Sequence, residues 1–288
     1  MRPRSTVQCT VVVASSLVVA AAAASFAQEG KPQEEKRWDI GPTGALSEEE
    51  FKQIHTLRID QAPTRGKMLE ISGSRAYLSL PENARPPLPG IVVIHEWWGL
   101  NNNIKRWCDR LAADGYAALA VDLYGGREAT TPDSAMQFVR TVNEEAAFRI
   151  LHAAHRFLAD DMRVLARRRA CIGWCFGGGW SLQQALTVPD LDAAVIYYGR
   201  LVTDPDRLRV IKAPILGIFA NQDRSIPPEA VDAFDKALTT AGVEHRILRY
   251  DADHAFANPS GARYDHKSAG AAWEEVRAFL ANRLKASQ

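Results

Sequence analysis

The stretch Gly173-Trp174-Cys175-Phe176-Gly177 decides how the chain is expected to fold, because it places a cysteine between two glycines in the pattern G-x-C-x-G. The apolar run at 170–173 predicts a short buried strand, and a helix is expected to open after Gly177. A residue on such a strand-to-helix turn tolerates only small flanking residues, since larger side chains would clash with the backbone. The pattern therefore predicts a nucleophile elbow that presents Cys175.

A buried structural cysteine is the alternative interpretation of Cys175. Cys171, four residues earlier on the predicted strand, is an example of that ordinary role. A pattern with two fixed glycines also arises by chance, so its place between a predicted strand and a predicted helix is what favours the elbow. The helix N-terminus would add a positive dipole end, which favours the thiolate over the thiol.

Apolar runs and helical patterns alternate along the chain on both sides of this stretch. Strands are predicted at 68–71, 76–80, 91–94, 116–123, 193–198, 215–220 and 245–250, and helices at 103–114, 144–160 and 269–284. The first two strands are expected to form a hairpin. The alternation that follows predicts a single α/β domain, with a mostly parallel central sheet and helices on both faces.

Two further residues that could carry chemistry follow predicted strands. Asp223 comes after the strand at 215–220, and His254 follows the strand that ends at residue 250. Nucleophile, acid and then histidine is the chain order of the α/β-hydrolases. In such a triad the histidine withdraws the proton of the nucleophile and later protonates the leaving group, while the aspartate fixes its tautomer. Asp251 and Asp253 are alternatives to Asp223, but they lie on the same predicted loop as His254.

The stretch His95-Glu96-Trp97-Trp98-Gly99 follows the predicted strand at 91–94. It lacks the second histidine of the zinc motif H-E-x-x-H, so this stretch does not predict a metal site. The loop lies where this fold supplies the second amide of an oxyanion hole. The backbone N–H groups of Trp97 and Phe176 are therefore predicted to bind the developing oxyanion.

From about Lys67 to its C-terminus the chain resembles the dienelactone hydrolase family. The motifs that carry the resemblance are Val93-Ile94-His95-Glu96 with Gly99-Leu100, Gly115-Tyr116-Ala117, Asp122-Leu123-Tyr124, the stretch from Gly173 to Gly178, Tyr197-Tyr198-Gly199 and His254-Ala255-Phe256. The resemblance implies a cofactor-free α/β-hydrolase that cleaves a carboxylic ester or lactone with a Cys–His–Asp triad. It also implies that Glu96 contacts the resting cysteine and helps to convert it to thiolate when substrate binds.

The chain departs from the family pattern in the predicted substrate pocket. In dienelactone-cleaving members, arginines clamp the substrate carboxylate, and one of them follows the catalytic histidine by four residues; Asn258 stands there in this chain. Arg127 lies near the position of another arginine but is displaced by one residue. These departures favour neutral esters or lactones. The side chains predicted to contact substrate are Trp98, Tyr124, Arg127, Tyr198, Phe256 and Asn258.

Two alternative functions use the same residues. A thioesterase or an acyltransferase would form the same acyl-cysteine intermediate on the triad. A ligand-binding or sensory protein could also use a hydrolase fold, because fold alone does not establish activity.

The first residues of the chain have the pattern of a secretory signal. Arg2 and Arg4 precede an apolar run at 7–24, which ends at Ser25-Phe26-Ala27 with small residues at the −3 and −1 positions. A signal peptide is therefore predicted at 1–27, a leader at 28–63 and the hydrolase domain at 64–288. A retained membrane anchor is the alternative, because the run is nearly long enough to span a bilayer.

Composition and cysteine count fit an exported monomer that acts on a small molecule. The formal net charge of +1 gives no general attraction to nucleic acid or to anionic membranes. Loss of Cys9 with the signal would leave three cysteines, so at least one thiol would stay unpaired in an oxidising compartment. Such a thiol is either buried and inert or functional.

Overall fold

A computed structural model describes residues 63–83 and 85–285 of the chain. The predicted signal peptide at 1–27 lies outside the described residues, as does the predicted leader up to residue 62. Export therefore stays a prediction from sequence. Within the described ranges, no helix combines the length and the apolar character that a membrane crossing requires.

Eight strands form one sheet in the described part of the chain. They are β1 (Lys67–Ile71), β2 (Ser74–Ser79), β3 (Gly90–Ile94), β4 (Ala117–Val121), β5 (Arg169–Trp174), β6 (Ala193–Tyr197), β7 (Ile215–Ala220) and β8 (His245–Tyr250). Their order in the sheet is β1-β2-β4-β3-β5-β6-β7-β8. β2 pairs antiparallel with β1 and β4, and the remaining neighbours are parallel. The prediction of a mostly parallel sheet that begins with a hairpin is confirmed.

The same residues contain seven helices. They are α1 (Asn102–Ala113), α2 (Pro132–Arg140), α3 (Glu144–Asp160), α4 (Phe176–Thr187), α5 (Pro205–Leu208), α6 (Pro228–Ala241) and α7 (His266–Leu284). The sequence did not predict α2, α5 and α6, each of which begins at a proline. Proline interrupts a helix interior but is well tolerated in the first turn, where its missing N–H has no partner to lose. These prolines therefore begin helices.

Helices cover both faces of the sheet, which explains why the central strands are continuous apolar runs. Every residue of β3, β4, β6 and β7 is buried. Alternate strand residues enter two separate cores: Ile94 and Cys171 pack with α2, α3, α4 and α6, whereas Val93 and Ile172 pack with α1 and α7. Both layers are needed to bury the sheet.

The parallel strands end at a common edge of the sheet. The segments that follow β3, β5, β6, β7 and β8 carry Glu96, Cys175, Tyr198, Asp223 and His254, respectively. The carboxyl ends of parallel strands are the usual position for a ligand site in an open α/β sheet. The topology thus brings the predicted site residues to one edge.

Candidate active site

Cys175 lies on a strained turn between β5 and α4. Its backbone has φ 53° and ψ −116°, a left-handed φ that a residue with a side chain rarely adopts. Its N–H donates to the carbonyl oxygen of Tyr197 on β6 at 3.0 Å, which fixes the turn to the neighbouring strand. α4 begins at Phe176, two residues earlier than the helix expected after Gly177. The thiol is therefore held beside the first turn of the helix, partly buried.

The glycines of this turn permit backbone to pack on backbone. A Cβ on Gly173 would lie 2.0 Å from the carbonyl oxygen of Gly177. A Cβ on Gly177 would lie 2.2 Å from the carbonyl oxygen of Ile94 and 2.5 Å from that of His95. Real Cβ atoms do not approach so closely, so the elbow needs glycine at both positions and presses against the end of β3.

His254 and Asp223 form a buried pair beside the elbow. The Nδ1 atom of His254 lies 2.7 Å from Oδ2 of Asp223. The other oxygen, Oδ1, accepts the backbone N–H groups of Ser225 at 2.7 Å and Ile226 at 2.9 Å, which orients the carboxylate. The alternative acid Asp253 accepts the backbone N–H of His254 at 2.7 Å and does not sit behind the ring.

Electrostatics link His254 to the thiol. Burial alone would lower the pKa of His254, but the attraction of Asp223 and of Cys175, each with a hydrogen bond to the ring, outweighs burial and holds that pKa well above its usual value. The histidine thus interacts with the acid through one side and with the cysteine through the other. This arrangement suits proton transfer from sulfur to imidazole.

His95 has a structural role that the sequence did not predict. Its Nε2 accepts the backbone N–H of Leu123 at 3.0 Å, so Nδ1 carries the proton and donates to the carbonyl oxygen of Glu96 at 2.6 Å. Burial lowers the pKa of His95, which keeps the ring neutral in this role. The ring ties the loop after β3 to the end of β4. Since this loop also contacts the elbow, the N–H groups of Trp97 and Phe176 belong to two segments that meet beside Cys175.

Glu96 is buried and held by two asparagines. Its Oε2 accepts Nδ2 of Asn258 at 2.6 Å and Nδ2 of Asn103 at 3.4 Å. Burial raises the pKa of Glu96 to about 7, against the lowering effects of the His254 charge and of the Asn103 hydrogen bond. Asn103 was missed in the sequence, because an asparagine near a helix start ordinarily indicates a cap. The cap of α1 is its neighbour Asn101, which accepts the N–H of Ile104 at 3.2 Å.

Asn258 and Arg127, both predicted to contact substrate, are engaged with the protein. Asn258 donates to Glu96, as described above. The Nε of Arg127 donates to the carbonyl oxygen of Tyr124 at 2.9 Å, and its guanidinium lies 4.4 Å from the ring centre of Phe138. Neither contact points to a clamp on a substrate carboxylate.

The predicted aromatic residues surround the triad. Tyr198 packs on His254 at 5.2 Å between ring centres and on Phe256 at 5.6 Å. Tyr124 packs on Phe176 at 5.4 Å. Trp98 lies against its neighbour on the loop after β3, and it is buried. In residues 63–83 and 85–285, no group of three or more His, Cys, Asp or Glu side chains is arranged to hold a metal ion.

A parallel sheet of this order, with a strained turn after β5 and the Asp–His pair after β7 and β8, defines an α/β-hydrolase. The model of the dienelactone hydrolase family matches residues 74–284. The chain belongs to the dienelactone hydrolase family, and it is a hydrolase of the class that acts on carboxylic esters.

Known relatives agree with this assignment. The chain is 32% identical over 252 residues to a protein of Saccharolobus solfataricus named "Putative carboxymethylenebutenolidase", with 72% of this chain and 93% of that protein covered. It is 33% identical to the protein usf of Aquifex pyrophilus, with 75% and 97% covered. Among solved structures, a dienelactone hydrolase-like promiscuous phosphotriesterase from metagenomic libraries superposes with a TM-score of 0.68 at 25% identity, covering 77% and 99% of the two chains.

The contact between the elbow and β3 can be tested with one methyl group. Gly177→Ala should lower the free energy of unfolding by about 3 kcal/mol, because the added Cβ meets backbone that cannot move aside. Gly270→Ala is the matched control: a Cβ there meets nothing within 4 Å, and alanine should stabilise α7 by roughly 1 kcal/mol. Chemical denaturation of both variants measures the difference. Equal stability of the two would contradict the packing described for the turn.

Proposed function

We propose that the chain hydrolyses neutral carboxylic esters or lactones through an acyl-cysteine intermediate. The observation that carries the proposal is the alignment of Asp223, His254 and Cys175. The imidazole bonds the carboxylate at 2.7 Å and interacts with the thiol, which is presented on a backbone with φ 53°. Three residue types that the chemistry requires thus lie together at the ends of three strands.

The reaction follows from the proposed roles. His254 takes the proton of the Cys175 thiol, and the sulfur attacks the carbonyl carbon to form a C–S bond. The resulting oxyanion would be bound by the backbone N–H groups of Trp97 and Phe176. The C–O bond then breaks, and His254 gives its proton to the leaving oxygen. Water, activated by the same imidazole, hydrolyses the acyl-cysteine and restores the thiol.

The engagement of Asn258 and Arg127 with the protein supports neutral substrates. Asn258 is taken up by Glu96, and Arg127 is engaged with the Tyr124 carbonyl and the Phe138 ring. Glu96 also places a buried carboxyl in the same region, and a substrate carboxylate next to it would be penalised unless a cation met it. The surrounding aromatic side chains are better partners for alkyl or aryl groups.

Removal of the nucleophile tests the proposed mechanism. Cys175→Ala should abolish measurable turnover of a chromogenic short-acyl ester, because no acyl-enzyme can form. Cys171→Ala is the control, since Cys171 is fully buried on β5 with its sulfur 3.1 Å from Oγ of Ser181. It should keep turnover near the wild-type rate and lose roughly 1 kcal/mol of stability. Turnover near the wild-type rate in Cys175→Ala would refute the acyl-cysteine mechanism.

Substrate charge tests the proposed specificity. Neutral aryl esters or lactones should show a kcat/KM at least about tenfold above that of lactones carrying a free carboxylate, which corresponds to roughly 1.4 kcal/mol in the transition state. Both classes are compared by initial rates, at low and moderate salt, in the wild type and in Arg127→Ala. The opposite preference, lost in Arg127→Ala, would show that Arg127 binds a substrate carboxylate after all.

Tyr124 provides a hydrogen-bond donor for the substrate. Its hydroxyl is buried and has no hydrogen-bond partner among the described residues. Burial and, after it, the charge of Cys175 raise the pKa of Tyr124 well above its usual value, so the hydroxyl stays protonated. A buried hydroxyl without a partner costs about 1–3 kcal/mol, a cost that a substrate oxygen would remove on binding.

Tyr124→Phe should therefore lower kcat/KM for the best ester by about tenfold, since the variant keeps the ring and loses the donor. Tyr197→Phe is the matched control, because its hydroxyl is also buried without a partner but belongs to the core layer covered by α1 and α7. That variant should change kcat/KM by less than about twofold. Equal losses in the two variants would assign the effect of Tyr124 to packing.

A further inference from the structure

Glu96 is held through one of its two carboxyl oxygens. The side-chain amides of Asn258 and Asn103 both donate to Oε2, at 2.6 Å and 3.4 Å, and both asparagines are buried. They come from different elements: Asn103 lies in the first turn of α1, and Asn258 lies on the loop after β8. Both amides therefore approach the same carboxyl oxygen.

The orientation of the Asn258 amide is fixed by its other end. Its Oδ1 accepts the backbone N–H of Ser260 at 2.8 Å, so its NH₂ group faces Glu96. Two N–H donors directed at Oε2 leave no place for a proton on that oxygen. A proton on Glu96 would therefore lie on Oε1, and the neutral acid could donate from that side.

The surroundings of Glu96 favour such a proton. No salt bridge holds Glu96 in the described part of the chain, where its hydrogen-bond partners are two neutral amides. The titratable groups that interact with it electrostatically include His254 after β8 and the hydroxyl of Tyr198 after β6, which also interacts with Cys175 on the elbow. Burial raises the pKa of Glu96 to about 7, so the carboxyl exchanges a proton in the range where an esterase works.

We propose that Asn103 and Asn258 are positioning residues that orient Glu96 through Oε2 and confine its exchangeable proton to Oε1. Glu96 interacts electrostatically with His254, the residue paired with Cys175 in the proposed Cys175–His254 pair. The two amides, called the clamp below, hold the Glu96 carboxyl without a cation. Its part in catalysis rests on the proposed function, since Glu96 acts on the reaction only through that pair. The orientation of the carboxyl itself does not depend on the substrate.

Infrared spectroscopy of the full chain tests the clamp without any substrate. The C=O stretch of a neutral carboxylic acid is separate from carboxylate bands, and the difference between wild type and Glu96→Gln assigns it to Glu96. This band should titrate with a midpoint near pH 7. Asn258→Asp keeps the acceptor for the Ser260 N–H but puts a second carboxylate against Glu96. The two acids must then share a proton, and the midpoint should rise by at least about one pH unit.

Asn103→Ala should raise the midpoint in the same direction but by less, because its bond to Oε2 is longer. Asn102→Ala is the matched control in the same turn of α1, where the side chain is exposed, and it should leave the midpoint unchanged. Thermal unfolding confirms that each variant is folded. If Asn258→Asp does not fold, the shift of the midpoint in Asn103→Ala decides whether the proposal holds. A wild type without such a band between pH 6 and 8, or amide variants that titrate as wild type does, would overturn the proposal.

Activity measurements separate the clamp from the proposed function. The pH profile of kcat/KM for a neutral aryl ester should carry an inflection near pH 7 that Glu96→Gln removes and Asn258→Asp moves upward. If the wild type cleaves no ester or lactone but the infrared shifts occur as expected, the proposed function fails and the clamp stands. If the inflection lies at the same pH in Asn258→Asp as in the wild type, the positioning role proposed for Asn258 is contradicted.

Discussion

Two backbones meet without side chains between them at the end of β3, where Gly177 packs against the carbonyl oxygens of Ile94 and His95. This contact brings the loop after β3 to the strand-to-helix turn, on which Cys175 has a positive φ. The strain of such a conformation, of order 1–3 kcal/mol, persists only because surrounding structure fixes the backbone. Here the fixing comes from the N–H bond to Tyr197 and from the helix that starts at Phe176.

With that turn fixed, the chemistry of the site depends on which groups contact each of its buried acids. Asp223 accepts two backbone N–H groups on one oxygen and the His254 ring on the other, a setting made for a carboxylate. Glu96, close by, meets only amide donors and the charge of the same ring. Two acids on one site with such different partners are suited to different roles. The histidine connects them, because its charge acts on both.

The sequence predicted the strands and their succession along the chain well. Buried parallel strands are continuous apolar runs, and turn residues separate one run from the next. The sequence did not predict α2, α5 and α6, each of which begins at a proline, at 132, 205 and 228. Chain order and strand ends predicted Cys175, Asp223 and His254 as a triad, and the structure brings Asp223 and His254 into contact. Partners contributed by distant segments were not predictable: Asn103 and Asn258 lie 155 positions apart, and no local pattern joins them to Glu96.

The departure at position 258 therefore has a consequence beyond the loss of a positive charge. An arginine beside Glu96 would stabilise the carboxylate as an ion and also attract an anionic substrate, so that one residue would couple specificity to protonation. The Asn258 amide retains the hydrogen bond and gives up the charge, which leaves Glu96 free to take a proton near pH 7. Because neutral amides hold Glu96, the site needs no cation beside this acid. It therefore needs no anionic substrate to balance such a cation. In the proposed function, a preference for neutral substrates and a proton on Glu96 would thus both follow from the same asparagine.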